Sequence, residues 1–499
     1  MRRVTSHSTR SRGAGAEADD ATRGSAIKLT AEVLTRLITL ATTLLIIREL
    51  GVERWDVFGR LWFVAPLVAE WAEFGLQATA TRALAAGTLS LRALARARAT
   101  LFVLVGAAVL AVAATPLAAS VERGAPSWLH LGILAILALY FALSGWGEFL
   151  GVALRCRGAR IQEGLVLLIL RAGALALAAA ALASGAGLAE LAWALVLSTA
   201  PALALGAWLL VRHPTSFPGE DAPVGRVLRL AAPLAVYAGL LLLSPRVEGL
   251  VLSWTRIDAE ASIFLAALNL FWPLSLVPQA VASGAMPALT REAQAGAGLV
   301  RRRTAATLAL FAAPAAVGLF LVAPALVPII LDADFAPAAR WLRILSLALV
   351  PMFLNGLLSW ALIAAERASL LPRLVATRIV VAFLLALILV PRFGATGAAV
   401  GFVIAELLLL LLGVRAAGAA GFSVPVAQPI AVSLVATVPM ALAVWGVRDN
   451  LPLALAVGFV TYAATLAAVW HLLPGPARRL LGVSAGARPS GDPPREVKP

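Results

Sequence analysis

The sequence predicts an all-α, polytopic integral membrane protein with about fourteen transmembrane helices. Apolar residues make up 61% of the 499-residue chain and charged residues only 13%. The mean hydropathy is +0.91. Because soluble domains carry about 25% charged residues, most side chains here are expected to face lipid or one another.

Long apolar runs recur along the whole chain, and a helix needs about 20 mainly apolar residues to cross the hydrocarbon layer. Fourteen segments meet that requirement. The predicted spans lie near 26–47, 57–79, 99–119, 128–150, 161–183, 188–211, 229–253, 260–286, 304–331, 339–363, 369–390, 394–415, 427–447 and 451–473.

Arginines cluster in every second connection between the predicted spans, which is the pattern of cytoplasmic loops. Arg92, Arg96 and Arg98 are placed in one such loop, before the third span. The alternation predicts that both termini lie in the cytoplasm. The net charge of +15 is spread over these small clusters, so nucleic-acid binding is not expected.

Ionisable side chains inside the spans are the candidate functional residues. Each costs about 2.5–3.5 kcal/mol at mid-depth on insertion scales, so such groups normally face a cavity or a partner. The candidates are Glu32, Arg36, Glu70, Glu73, Arg171, Arg246, Glu248 and Glu406.

The first span carries a polar stripe. At 100° per residue, Thr35, Thr39 and Thr43 lie on the face that also holds Glu32 and Arg36. The two charged residues are spaced i,i+4 and can pair. The stripe favours a water-filled cavity, although a helix–helix interface joined by threonines is the alternative.

The remaining charges leave alternatives open. Arg171 has no acid within one turn, so it either faces a cavity or pairs with another helix. Arg246 and Glu248 are two residues apart and point to different sides. Glu70 and Glu73 share a face of the second span, as gate or ion-coupling groups or as interfacial side chains.

Glu406 is isolated in the twelfth span, where a structural hydrogen bond is favoured over a functional role. Asn269 is a weaker polar candidate in the eighth span.

Several classes of function are disfavoured. The single cysteine, Cys156, excludes a disulfide within the chain, and the four histidines are scattered. There is no Walker-type glycine loop for an ATPase. We expect no metal, no cofactor and no enzyme activity, because a membrane glycosyltransferase or polymerase would need a sizeable catalytic loop.

Six short segments recur at a regular order and spacing relative to the predicted spans: 47–51 with 58–59, 73–76 with 81–82, 246–248, 262–267, 287–289 and 391–399. Together they resemble the polysaccharide (O-antigen-type) flippases of the MOP superfamily, which also contains lipid II flippases and multidrug exporters. Glu248 replaces the usual acid of one motif, and Ser262 and Phe264 replace a glycine and a tyrosine of another.

The resemblance implies two six-helix lobes around a central cavity, followed by two extra C-terminal helices. A disordered tail is expected at each end, and a cytoplasmic linker is expected between the lobes. The predicted divisions are 1–24 (tail), 25–212 (first lobe), 213–228 (linker), 229–415 (second lobe), 427–473 (extra helices) and 484–499 (tail).

The function that the resemblance implies is the flipping of a polyprenyl-diphosphate-linked oligosaccharide across the bacterial cytoplasmic (inner) membrane by alternating access. A lipid II flippase and a cation-coupled multidrug exporter are the alternatives, and a scaffold descended from flippases is a further one. The expected partners are the lipid-linked substrate, membrane lipids and polysaccharide biosynthesis machinery. Under this reading Arg36, Arg171 and Arg246 face the diphosphate, Thr35, Thr39, Thr43 and Asn269 contact sugar, and Glu32, Glu70, Glu73 and Glu248 pair with arginines or carry a coupling ion.

Overall fold

A computed structural model describes the backbone of residues 7–114, 130–212, 219–256, 259–295, 298–424 and 427–472. Side chains are described from Val33 onward within these ranges, except at 112–114, 283, 294–295 and 469–472. The side chain of Glu32 and the predicted tail 484–499 therefore lie outside the described residues. Throughout the described ranges the secondary structure is helical, with one isolated bridge between Leu89 and Glu220.

The helices follow one another with short connections and include several 3₁₀ turns. The α-helices are α1 (His7–Glu73), α2 (Leu76–Ala86), α3 (Leu91–Ala114), α4 (Leu131–Cys156), α5 (Arg160–Ala183), α6 (Leu188–Ser198), α7 (Ala200–Arg212), α8 (Val224–Leu243), α9 (Val247–Thr255), α10 (Glu260–Phe271), α11 (Leu276–Ala295), α12 (Leu299–Ile330), α13 (Ala338–Ser346), α14 (Leu349–Ala364), α15 (Leu371–Ala419), α16 (Ala427–Trp445) and α17 (Leu451–Leu472).

The predicted fold class is confirmed. Within the described residues, ten helical segments are long and apolar enough to cross a membrane. The count rises to eleven if Ala338–Ser346 and Leu349–Ala364, which meet at a 48° bend, form one broken span. The protein is thus a multi-pass, all-helical membrane protein.

Two glycines divide long helices into pairs of predicted spans. Gly51 (φ 65°) interrupts α1 between the first and second spans, and Gly394 (φ 57°) interrupts α15 between the eleventh and twelfth. A positive φ is strained for residues with a Cβ atom. At Gly394 a Cβ atom would also lie 2.4 Å from Glu260, whose carboxylate accepts a hydrogen bond from the Ala395 N–H.

Several predicted spans are broken where the sequence suggested one helix. The second span, 57–79, is interrupted at Phe74 and Gly75, which both have positive φ. The seventh and eighth are interrupted by 3₁₀ turns at Ser244–Arg246 and Trp272–Ser275. Each turn contains a proline, which lacks the N–H that would continue the α-helical hydrogen bonding.

The described chain divides into two compact units. The first comprises residues 1–270, 327–341 and 379–401, and the second comprises 271–326, 342–378 and 402–499. In the first unit, α1 packs against α3, α4, α5 and α8, while α2 and α3 also pack against α8. In the second unit, α11 packs against α14 and α16 packs against α17. The division into 25–212 and 229–415 stays a prediction.

Arg60 ties α1 to the end of α9 inside the first unit. Its side chain is fully buried and pairs with Asp56, one turn earlier, at 2.6 Å. The same guanidinium donates hydrogen bonds to the backbone carbonyls of Ser253 at 3.0 Å and Arg256 at 2.8 Å. These carbonyls are at a helix end, where no N–H of the same helix is available to them.

We expect Arg60→Leu to lower the free energy of unfolding by about 3 kcal/mol, because it leaves a partly buried carboxylate and two carbonyls without their donor. Thermal unfolding of the purified protein in detergent measures this. Arg48→Leu is the control, since Arg48 is exposed and makes one long bond, 3.4 Å, to the Ile329 carbonyl. Equal losses in the two variants would contradict the role given to Arg60.

Candidate functional site

A cavity of about 580 Å³ lies within the first unit, between α1, α2, α3, α4, α5 and α8. Six charged side chains line it, which is unusual for a space among membrane-spanning helices. They are Glu70 and Glu73 of α1, Arg98 of α3, Glu148 and Arg155 of α4, and Arg171 of α5. The lining thus carries three carboxylates and three guanidinium groups.

Glu73 is held by a break in the chain. Phe74 (φ 47°) and Gly75 (φ 64°) end α1 and turn the backbone into α2. The Glu73 carboxylate accepts hydrogen bonds from the N–H groups of Gly75 at 2.9 Å and Gln77 at 2.6 Å. It therefore caps the start of α2, where backbone donors have no helical partner and negative charge is favoured.

Gly75 is needed at this break for two reasons. Its φ lies in the left-handed region, and a Cβ atom would lie 2.5 Å from the backbone nitrogen of Ala235 in α8. Real Cβ atoms do not approach a backbone so closely, so only glycine fits without a shift of α8. Gly75 thus allows the N-terminus of α2, which Glu73 caps, to lie close to the backbone of α8.

Arg98 is buried in the wall of the cavity. Only 1% of the residue is exposed, and its guanidinium lies 5.4 Å from the ring centre of Trp146 and 5.3 Å from that of Phe149. Its Nη1 atom is 3.7 Å from the Glu73 carboxylate. A Cβ atom on residue 145 would lie 2.7 Å from its Nη2 atom, so Gly145 makes the space in which the guanidinium lies.

Part of the hydrogen-bonding capacity in this wall is unused. Among the described residues, the Nε and Nη1 atoms of Arg98, the Oε1 atom of Glu70 and the Oγ atom of Ser144 are buried without a hydrogen-bond partner. An unsatisfied buried polar group costs about 1–3 kcal/mol, and more when it is charged. A ligand or water that supplies partners is therefore expected in this space.

Arg171 pairs with another helix and lines the cavity as well. Its guanidinium is 2.5 Å from the Glu148 carboxylate, whose other oxygen lies 3.4 Å from the Gln77 side-chain nitrogen. The sequence predicted that Arg171 either faces a cavity or forms an ion pair with another helix. The structure shows that Arg171 does both. Arg155, the third cavity-lining arginine, is bound at 2.6 Å by the buried Glu163.

The threonine stripe of α1 is largely satisfied by its own backbone. Thr39 donates to the Thr35 carbonyl at 2.8 Å, and Thr43 donates to the Thr39 carbonyl at 3.1 Å. Thr39 lines the cavity, whereas Thr35 and Thr43 are buried and are not part of its lining. Contact of these threonines with sugar stays a prediction.

The other predicted site residues lie outside the lining of this cavity. Arg246 donates to the Leu242 carbonyl at 2.8 Å and lies 5.6 Å from the ring centre of Phe63. Glu248 is buried, and the Asn269 amide donates to the Leu265 carbonyl at 2.8 Å. Arg36 is half-buried on α1. Substrate contact by these residues stays a prediction.

Arg98 and Glu148 were missed as site residues. The sequence placed Arg98 in a loop before a span starting at 99, but α3 already begins at Leu91 and buries it. The hydrophobic run starts later than the helix, because the first two turns of α3 are rich in arginine. Glu148 lies close to the predicted end of the fourth span, where a charge is easily taken as interfacial.

A separate polar cluster lies in the second unit. The fully buried Arg378 is 3.2 Å from the Glu406 carboxylate, and the Asn355 amide donates to the same carboxylate at 2.9 Å. The Arg378 guanidinium also lies 5.0 Å from the ring centre of Phe402. The structural hydrogen bond favoured for Glu406 is present, with an ion pair that the sequence did not suggest.

No protein-family profile matches the chain, and no curated protein sequence matches it. Among solved structures, the chain is similar to the lipid II flippase MurJ in an inward closed conformation. The TM-score is 0.71 at 13% identity, over 89% of this chain and 98% of that one.

Two further solved structures are transporters. One is a multidrug resistance MATE family transporter of the MOP superfamily in an inward-facing conformation, with TM-score 0.59, 16% identity and coverage of 79% of this chain and 98% of that one. The other is the eukaryotic MATE transporter AtDTX14, with TM-score 0.54, 11% identity and coverage of 83% and 96%. The chain therefore shares its fold with this flippase and these transporters, while the resemblance to O-antigen-type flippases of the MOP superfamily stays a prediction.

We expect Gly75→Ala to destabilise the protein by about 2 kcal/mol or more, through the left-handed φ and the approach to α8. Gly106→Ala is the matched control, because a Cβ atom there meets nothing within 4 Å and alanine favours a helix. Thermal unfolding of both variants in detergent measures the difference. A Gly75→Ala protein as stable as wild type would contradict the packing described here.

A cysteine placed on the cavity wall tests whether water reaches it. In a Cys156→Ser background, we expect Ala142→Cys to react with a small charged methanethiosulfonate reagent. Val103→Cys, at an outward-facing position that is 64% exposed, is expected to react slowly, because a thiol in lipid does not ionise. Equal, slow reaction at both positions would show that the cavity is dry.

Proposed function

We propose that this chain flips a polyprenyl-diphosphate-linked oligosaccharide from the cytoplasmic to the outer leaflet of the cytoplasmic membrane by alternating access. The observation that supports the proposal most directly is Arg98, a buried guanidinium with unused donors facing a polar cavity. The fold, shared with a lipid II flippase and with transporters, is consistent with it.

The residues of the cavity suit an anion with several oxygen atoms. Arg98 and Arg171 line one space, and guanidinium groups donate paired, charge-assisted hydrogen bonds to phosphate oxygens. Both have nearby carboxylates, Glu73 and Glu148, so neither is an uncompensated charge when the cavity holds no substrate. A diphosphate would replace or share those counter-ions.

A bound lipid tail does not need to enter this polar space. The diphosphate and the sugars require polar partners, whereas the prenyl chain is as apolar as the surrounding lipid and can stay there. In this scheme Glu73 and Glu148 act as the exchangeable partners of the arginines. Glu70 remains the proposed coupling group, since its Oε1 atom is buried and accepts no hydrogen bond from the described residues.

A lipid II flippase is the alternative that shares this chemistry, since its cargo is also an anionic sugar-bearing lipid. The similarity to the MurJ structure supports a lipid II flippase as the alternative function. An exporter of lipophilic cations fits the cavity less well. Such a cargo favours an acidic cavity with few arginines, and here three arginines balance the three glutamates.

The proposal is tested in a strain from which the gene has been deleted or depleted. Lipid extracts are probed for polyprenyl-diphosphate oligosaccharides that remain on the cytoplasmic face. We expect build-up that wild type relieves and that Arg98→Gln or Arg171→Gln does not. Loss of one charged hydrogen-bond partner costs about 1.5–3 kcal/mol, which lowers the flipping rate at least about tenfold.

Arg96→Gln is the matched control, two residues earlier on α3. Arg96 is exposed and pairs with Asp221 at 2.6 Å, so this variant is expected to complement like wild type. Membrane levels and unfolding temperature of each variant separate loss of function from loss of folding. No build-up on deletion, together with new drug sensitivity, would move the assignment to multidrug export.

A further inference from the structure

Four aromatic side chains form a cluster between α1 and α4. Trp62 stacks on Phe58 at 6.0 Å and on Tyr140 at 5.9 Å between ring centres. It also meets Phe141 edge-on at 4.9 Å. Phe58 and Tyr140 are buried, whereas Trp62 and Phe141 are only half-buried. Trp62 and Phe141 are thus packed within the cluster while part of each ring stays exposed.

One member of this pair, Phe141, lies in the wall of the charged cavity. Trp62 is not among the lining residues, but it contacts Phe141 and lies one helical turn before Pro66, which does line the cavity. At 1.5 Å per residue, Trp62 is about 16 Å along α1 from Glu73, and Phe141 is about 10 Å along α4 from Glu148. The aromatic pair therefore lies at a different depth from the charged residues, at the edge of the same cavity.

The two parts suit the two halves of a sugar-bearing polyprenyl diphosphate. A pyranose ring has an apolar face of C–H groups. The hydrogens of these groups carry a partial positive charge and pack on the negative face of an aromatic ring. The phosphates need cationic donors, which Arg98 and Arg171 supply. With the phosphates at the arginines, the attached sugars extend along the cavity toward Trp62 and Phe141.

Resting on the proposed function, we infer that Trp62 and Phe141 form the saccharide-binding wall of the cavity. They select for the sugar and orient it, while the arginines bind the diphosphate that all such lipids share. Binding of the phosphates alone does not require two partly exposed aromatic rings beside the cavity. A lipophilic cation is the competing occupant, because aromatic faces also attract cations.

Binding to the purified full-length protein in detergent separates these roles. The two probes are undecaprenyl diphosphate and undecaprenyl-diphosphate-linked N-acetylglucosamine. We expect wild type to bind the sugar-bearing lipid about two- to tenfold more tightly than the bare lipid. Trp62→Leu and Phe141→Leu are expected to abolish that preference and leave binding of the bare lipid unchanged.

Two variants control for shape and for general damage. Trp62→Phe keeps an aromatic face and is expected to retain the preference for the sugar-bearing lipid. Trp71→Leu removes a tryptophan from the same helix at a position that is 67% exposed, and is expected to behave as wild type. Arg98→Gln is expected to weaken binding of both lipids by similar factors.

The outcomes distinguish this inference from the proposed function. If wild type binds both lipids equally, or if Trp62→Leu weakens the binding of both alike, the inference that these rings bind the saccharide is wrong. The proposed diphosphate site is not affected by that result. If wild type binds neither lipid, the proposed function fails. If tetraphenylphosphonium binds instead and Trp62→Leu abolishes its binding, the aromatic pair belongs to a cation site and the inference is overturned.

Discussion

The compensation of charge inside an apolar environment is the constraint on which the rest of the structure depends. A charge left alone among membrane-spanning helices is costly, and removing one partner of a buried pair costs more than the pair contributes. Among the described residues, the three least exposed arginines each lie near a carboxylate: Arg60 near Asp56, Arg98 near Glu73 and Arg378 near Glu406. Two of these pairs join segments that are distant in sequence, so they also fix how helices pack.

Much of the fold was predictable because lipid imposes simple rules on sequence. Apolar runs of the right length must be helices, since unpaired backbone groups are excluded from hydrocarbon. The divisions at Gly51 and Gly394 follow from a residue that tolerates positive φ. The 3₁₀ turn at Trp272–Ser275 was harder to place. A proline weakens a helix, but the packing around it decides whether the helix bends or breaks.

The candidate site was only partly predictable. Glu70, Glu73, Thr39 and Arg171 were identified and line the cavity. Each lies within a predicted span, where a polar residue stands out. Arg98 was missed because a helix extends beyond its apolar part, so hydropathy marks the hydrocarbon region and not the helix start. Which carboxylate meets which arginine depends on helix rotation, which periodicity in one sequence does not determine.

Glu73 has two tasks that are usually given to different residues. It accepts the first backbone donors of α2, and it is the nearest carboxylate to Arg98. The order of the α2 N-terminus and the electrostatic state of the arginine are therefore thermodynamically linked through one side chain. Substitutions at Glu73 and Arg98 will be non-additive in a double-mutant cycle, and part of the coupling energy will belong to the folding of α2. Whatever withdraws this carboxylate from the arginine also acts on the first turn of the next helix.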